Sequence, residues 1–404
     1  MGLRRVVITG LGAISALGEN VAELTGALRR GFSGIRPIQL VDRSKLRFSN
    51  GAEVPGYEPE RHFDPKQAAM LDRFAQFAVI AAREAVRQAG LEAGSALFRR
   101  AGIITGSCVG GQTTEDEGFV DLYLRGKPRI SPLIIPKTMA NAGASRISLE
   151  FQIRGPVYTI STACSSSNHA IGQAYWAVRS GMIDLAIAGG SEAMFSMGIL
   201  KAWEAMRVVS PDTCRPFCKD RSGLILGEGG AMMVLETPES ARRRGASVLA
   251  EVVGFGMSSD AHHLTQPSVE GPALAMQAAL DDAGLPPDAI GYINAHGTGT
   301  VTNDPTEAAA IRAVFGSHAA RIPVSSTKSM HGHTLGAAGA LEGVASIAAA
   351  REGFLPPTIN FTERDPSCDL DVVANAPRPG NPEFVMSNSF AFGGLNAVVL
   401  YRLR

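Results

Sequence analysis

Short apolar runs and helically spaced apolar positions alternate along most of the chain. Residues 5–9 (RVVIT) form a continuous apolar run closed by Gly10, which predicts a buried strand. Residues 21–30 follow a glycine-containing turn and read as a helix. Over residues 72–88, Phe74, Phe77, Ala78, Ile80, Ala81 and Ala85 fall on one helical face, and Gly90 marks the stop. Residues 101–105, 157–161 and 185–188 are further strands, the last ending at Gly189-Gly190. A helix over about 165–180 with Gly181 as its cap joins the latter two. Residues 231–235 predict a strand, and 240–244 open a charged link.

From Leu249 the rhythm restarts. It gives a strand at 249–256, a helix at 272–283, a strand at 290–294, a helix at 304–315 and a strand at 324–326. A Gly/Ala-rich helix covers 336–351, and two strands, 384–388 and 397–402, close the chain around a glycine turn. Strands separated by helices predict an α/β fold with largely parallel sheets. The restart divides the chain into two similar halves, 1–248 and 249–404, although no short repeat is visible. Segments around 40–65 and 110–135 lack periodicity and read as insertions.

Composition narrows the class. Of 404 residues, 45% are hydrophobic and 19% charged, enough for a large core. Lys+Arg and Asp+Glu number 38 each, so no general attraction to nucleic acid or an anionic membrane is expected. Such neutrality fits a chain that hides surface in an oligomer. The cysteines Cys108, Cys164, Cys214, Cys218 and Cys368 contain no CxxC pair, so neither a disulfide framework nor a zinc knuckle is expected. The opening apolar run is too short for a signal peptide or a membrane span. A soluble, cytoplasmic protein is the expectation.

Four motifs carry chemistry. In Ser161-Thr162-Ala163-Cys164-Ser165-Ser166-Ser167 a strand breaks into a helix, placing Cys164 at the helix N-terminus. There the macrodipole is expected to lower the thiol pKa and activate a nucleophile. Taken alone, the motif equally fits a buried structural cysteine. In Asn294-Ala295-His296-Gly297-Thr298-Gly299-Thr300 a histidine leaves a strand for a Gly/Thr loop. By itself His296 reads more readily as structural. The run from Ser326 to Gly339 holds Lys328, His331 and His333, and Lys328 can pair with Glu342. His331 and His333 suggest a metal pair, but no acidic or cysteine ligand completes it. Finally, Asn388-Ser389-Phe390-Ala391-Phe392-Gly393-Gly394-Leu395-Asn396 is a glycine turn able to offer backbone N–H donors.

Together, and in this order, these motifs resemble the elongating β-ketoacyl-ACP synthases (KAS I/II type) of the thiolase superfamily. The resemblance runs from Val6 to the final strand and includes Gly223–Gly230 (GLILGEGG) and 335–339. It implies two duplicated mixed-sheet α/β halves in a five-layer αβαβα arrangement. It further implies that Cys164 takes an acyl chain from an acyl carrier protein, with the N–H groups of Cys164 and Phe392 as oxyanion hole. His296 and His333 would then stabilise the enolate formed when a malonyl carrier protein loses its carboxylate. Lys328, with Glu342, would order His333. Phe392 matches the gating phenylalanine, Thr298 and Thr300 the phosphopantetheine contacts, and Val109, Leu133 and Ile134 the acyl pocket. Arg207 matches a basic position for the carrier protein. No cofactor is implied, although in similar enzymes the positions of Glu342, Asn294, Ser387 and Asn388 surround a structural monovalent cation.

Some residues depart from the fatty-acid pattern: Ala391 stands where glycine is usual, Gly299 where serine is common, and Leu395 where threonine is frequent. An alanine hinge resists positive φ, which bears on gate movement. These departures favour the catalytic ketosynthase of a type II polyketide or polyene system, as a homodimer or paired with a chain-length-factor subunit. A degradative thiolase would need a Cys-x-Gly loop after Cys368, and the Cys-His-Asn synthases would lack His333. A silent partner subunit would lack Cys164. A dinucleotide enzyme is suggested by Gly10-Leu11-Gly12, but Ser15 replaces the third glycine.

Overall fold

The first apolar run extends into strand β1 (Val6–Ser15), buried at every position. Its glycines serve packing against helix α1 (Arg73–Gln88): a Cβ on Gly10 would collide with the carbonyl of Ala85, and one on Gly12 with that of Ala81. Gly10-Leu11-Gly12 is therefore a helix–strand contact inside a strand and not a phosphate-binding turn. The structure, a computed structural model, describes residues 2–403.

The first half continues with β2 (Ala101–Gly106), α2 (Ala142–Phe151), β3 (Val157–Ile160), α3 (Ser166–Ser180), β4 (Leu185–Glu192) and β5 (Gly229–Glu236). The second contains β6 (Ala250–Ser259), α4 (Glu270–Ala283), β7 (Ile290–Asn294), α5 (Asn303–Phe315), β8 (Pro323–Ser325), α6 (Ala338–Arg351), β9 (Phe384–Ala391) and β10 (Leu395–Arg402). Strand order is β3-β2-β4-β5-β1 in the first half and β8-β7-β9-β10-β6 in the second. In each, the first three strands are parallel and the fourth runs antiparallel to both neighbours. The same topology thus occurs twice. A short antiparallel pairing of Val6–Ile8 in β1 with Ala250–Val252 in β6 joins the halves into one hydrogen-bonded ladder.

Helices α3 and α6 lie between the half-sheets: α3 packs on β2, β4, β6 and β10, and α6 on β4, β5 and β9. Helices α1 and α2 cover the outer face of the first half, and α4 and α5 that of the second, which makes five layers. Burial on both faces explains why α6 carries no polar stripe: residues 338–350 are all buried. Its small residues are needed, because a Cβ on Gly339 would collide with Asn168.

Several elements run differently from the sequence expectation. β4 continues through Gly189 and Gly190 to Glu192, because a Cβ on Gly189 would strike the neighbouring strand at Ala231. β9 and β10 are likewise longer than their apolar runs. The segment 110–135 holds a helix, Gln112–Tyr123, whose polar and apolar positions do not segregate. Pro238–Arg243 is a helix where a charged link was expected.

Candidate active site

The nucleophile candidate sits in the turn between β3 and α3. Ala163 is held at φ +49, a left-handed conformation that costs free energy for a residue with a Cβ. The following serines secure it. The N–H of Thr162 donates to Ser166 Oγ at 2.9 Å, that hydroxyl donates to Ala163 O at 2.6 Å, and Ser165 Oγ donates to Thr162 O at 2.8 Å. Ser167 Oγ accepts the N–H of Ala340 at 2.9 Å, tying α3 to α6. The serine run is thus a brace for the elbow, a role its composition did not reveal.

His333 occupies the matching place in the second half, between β8 and α6, and its backbone is clamped by the first half. Its N–H donates to Ile225 O at 2.6 Å and its carbonyl accepts from Gly227 N–H at 3.0 Å, which gives GLILGEGG its function. His296 follows β7. The fully buried carboxylate of Glu307 holds that turn, accepting the N–H of His296 at 2.8 Å and of Gly297 at 2.7 Å. Asp304 similarly accepts the N–H of Gly299 at 3.1 Å and of Phe217 at 2.7 Å. Sequence reasoning passed over both acids, although they are the second and fifth residues of the helix after the His296 loop.

These turns bring Cys164, His296 and His333 together, with one ligand-type atom of each within 4.8 Å of the others. The imidazole rings are nearly perpendicular, with centroids 5.4 Å apart. Among the described residues, His333 Nδ1 and Nε2 and His296 Nδ1 have no hydrogen-bond partner. His331 points elsewhere: Nδ1 lies 2.8 Å from Gly332 O and Nε2 2.9 Å from Thr327 Oγ1, so it is a structural residue.

Electrostatics set protonation. Burial, then the Lys328 ammonium, hold both His296 and His333 well below the usual histidine range, so both are neutral at pH 7. Lys328 and Glu342 form a fully buried ion pair. Burial pushes the Cys164 thiol up to about 12, against the pull of Lys328 and of the nearby backbone N–H groups of Phe392 and Cys164. The expectation of a lowered thiol pKa is corrected here, since desolvation outweighs the helix terminus. Cys164 rests as a thiol.

A cleft of about 550 Å³ reaches this trio and is lined also by Thr298, Thr300, Phe390, Phe392 and Trp203. Thr298 Oγ1 and Thr300 Oγ1 are 2.9 Å apart. Phe392 stacks on Trp203, from helix Met197–Met206, at 6.2 Å between centroids. Trp203 went unremarked in the sequence because it belongs to no motif. Ala391 ends β9 opposite Leu395 in ordinary extended pairing, and the positive φ falls instead on Gly393 and Gly394. Val109 packs in the same apolar cluster as Cys164. Leu133 and Ile134 do not join the cleft; Leu133 is 38% exposed, and Ile134 leans on Gly118 of the 112–123 helix. Arg207 is exposed at the end of the helix that carries Trp203.

Among the described residues, the buried oxygens Asn294 Oδ1, Ser387 Oγ and Asn388 Oδ1, and Oε2 of the Glu342 carboxylate that pairs with Lys328, have no hydrogen-bond partner. Four orphaned oxygens, one on a carboxylate, fit a monovalent cation better than an apolar void.

Known proteins match along nearly the whole chain. Residues 3–241 match the family described as beta-ketoacyl synthase, N-terminal domain, and residues 249–362 the corresponding C-terminal domain. Nodulation protein E of Rhizobium sp. (strain N33) is 48% identical over 99% of both chains. The 3-oxoacyl-[acyl-carrier-protein] synthase 2 of Coxiella burnetii (strain RSA 493 / Nine Mile phase I) is 42% identical, again over 99% of both. Among solved structures, the ishigamide ketosynthase/chain length factor superposes with a TM-score of 0.94 at 40% identity, covering both chains fully.

Proposed function

The chain belongs to the β-ketoacyl synthase family, and on that premise we propose that Cys164, His296 and His333 carry its decarboxylative condensation. The observation that carries this reading is the meeting of one thiol and two neutral, unpartnered imidazoles at the end of one cleft. In the first step Cys164 Sγ bonds to the acyl thioester carbon, the carbon–sulfur bond to the carrier's pantetheine breaks, and the thiol proton passes to the departing thiolate. The N–H groups of Cys164 and Phe392, both near the sulfur, would donate to the oxyanion of that intermediate.

In the second step the malonyl thioester carbonyl lies between His296 and His333. The bond to the carboxylate breaks, CO2 leaves, and its electron pair becomes the enolate, whose oxygen accepts the imidazole N–H bonds. The enolate carbon then bonds to the acyl carbon, the carbon–sulfur bond to Cys164 breaks, and the released thiolate takes a proton from solvent, leaving a chain two carbons longer. Neutral imidazoles suit this because a carboxylate there would repel the developing charge. Thr298 and Thr300 would hold the pantetheine arm, and Val109 would wall the acyl pocket. Leu133 and Ile134 would reach that pocket only from a partner subunit. A monovalent cation held by Asn294, Ser387, Asn388 and Glu342 would offset buried negative charge beside Lys328.

The two halves are taken as 1–248 and 249–404. The partners are an acyl carrier protein, with Arg207 near the mouth of the cleft, and a second subunit of the same fold. Edge strand β3 pairs on one side only, and Tyr123, Leu124, Ile135 and Tyr158 are exposed nearby, which supports such a dimer. With Cys164 intact, this chain would be the catalytic member. The departures at Ala391, Gly299 and Leu395, and the 48% identity to a nodulation protein, support a specialised acyl or polyene pathway. Among the described residues no helix is long and apolar enough to cross a membrane. A cytoplasmic location is proposed from the absence of a disulfide or zinc-knuckle cysteine pattern.

Mass spectrometry of the protein incubated with acyl and malonyl carrier proteins tests this. An acyl adduct on Cys164, absent from Cys164→Ala, is expected; an adduct that persists in the variant overturns the assignment. Repeating the assay with and without a chain-length-factor subunit decides the partner.

A further inference from the structure

Glu192 ends β4, is fully buried, and takes no part in the steps above. Its carboxylate receives four donors from both halves of the chain. Ser107 Oγ donates to Oε1 at 2.9 Å and Val109 N–H to Oε1 at 3.2 Å. Cys108 N–H donates to Oε2 at 2.6 Å and Gly336 N–H to the same oxygen at 3.0 Å. Ser107, Cys108 and Val109 form the turn after β2, where Cys108 and Val109 pack against the apolar cluster that holds Cys164, and Gly336 follows His333 by three residues. A carboxylate has about four acceptor sites, and all four are used here by neutral donors. Burial pushes its pKa up to about 7 while those donors pull it down. Gly336 admits the contact, since a Cβ there would collide with both Cys108 N and Glu192.

We propose that Glu192 is a positioning residue of the condensation, fixing the acyl-pocket turn against the segment that carries His333. The inference rests on the site assignment above. A shift of either segment changes where the acyl-Cys164 carbon meets the enolate, so both rate and accepted chain length depend on this one side chain.

The isosteric Glu192→Gln tests it, assayed as a full-length protein with acyl and malonyl carrier proteins. Its amide nitrogen cannot accept two of the four donors. The kcat is expected to fall about tenfold, KM for either carrier protein to stay within about threefold, and product lengths to shift. Adding Ser107→Ala removes the hydroxyl that can turn to accept from the amide, and is expected to lower kcat further. Should Glu192→Gln not fold, Ser107→Ala alone is expected to lower kcat about threefold at unchanged KM. Wild-type kcat and product lengths in Glu192→Gln, a KM that rises as kcat falls, or an unaffected Ser107→Ala overturns the inference. Acylation of Cys164 in the wild type, followed by mass spectrometry, keeps its failure distinct from failure of the site assignment.

Discussion

Glu307→Gln separates the stability of the site from its chemistry. The carboxylate braces the His296 turn through two amide N–H groups and also receives Asn388 Nδ2 at 3.3 Å. Glutamine keeps one acceptor oxygen and turns an NH2 group towards the other amide. One unanswered buried donor costs about 1–3 kcal/mol. Against this, burial holds the Glu307 carboxyl at about 6 from an ordinary value of 4.5. At 1.36 kcal/mol per unit, keeping it ionised above that value costs about 2 kcal/mol, which glutamine avoids. A raised carboxyl pKa gives stability that is complete below 4.5 and lost as pH rises through about 6. At pH 8 the two effects nearly cancel, and the variant is expected to unfold within about 1 kcal/mol of the wild type. At pH 5 the wild type recovers about 1 kcal/mol that the variant cannot, so the gap widens. Malonyl decarboxylation at pH 8 is nonetheless expected to fall about tenfold or more, because His296 loses its brace. Urea unfolding at equal protein concentration, with decarboxylation followed at pH 8, measures both. A variant that is more destabilised at pH 8 than at pH 5, or one with unchanged decarboxylation, refutes this reasoning.

Three further outcomes follow from the same geometry. His331, buried and held at about 3, refuses a proton that the unfolded chain takes below about 6.5. His331→Gln is therefore expected to reduce the loss of stability on acidification by about 1 kcal/mol per pH unit, checked by urea midpoints between pH 6.5 and 5. Phe392→Ala removes the ring stacked on Trp203 at the cleft, and alkylation of Cys164 by iodoacetamide, followed by mass, is expected to quicken several-fold. Thr298→Val should raise KM for both carrier proteins with kcat nearly unchanged, the mark of a binding contact, in steady-state assays.

The sequence by itself determined the α/β rhythm, the restart near residue 249 and the four motifs, because strand and helix periodicities and glycine punctuation are local properties. It did not show that the two halves share one strand order, since topology depends on pairings between distant segments. Helix Gln112–Tyr123 escaped because its faces are not segregated, and β4 was cut short because its glycines answer a neighbouring strand rather than a turn. At the site, Cys164, His296 and His333 were legible as motif residues. Glu192, Glu307 and Trp203 were not, because each acts on groups supplied by other parts of the fold. The thiol's protonation was likewise a tertiary decision. Its place at a helix terminus argued for a lowered pKa, and only the packed interior, where desolvation outweighs that terminus, keeps Cys164 a thiol.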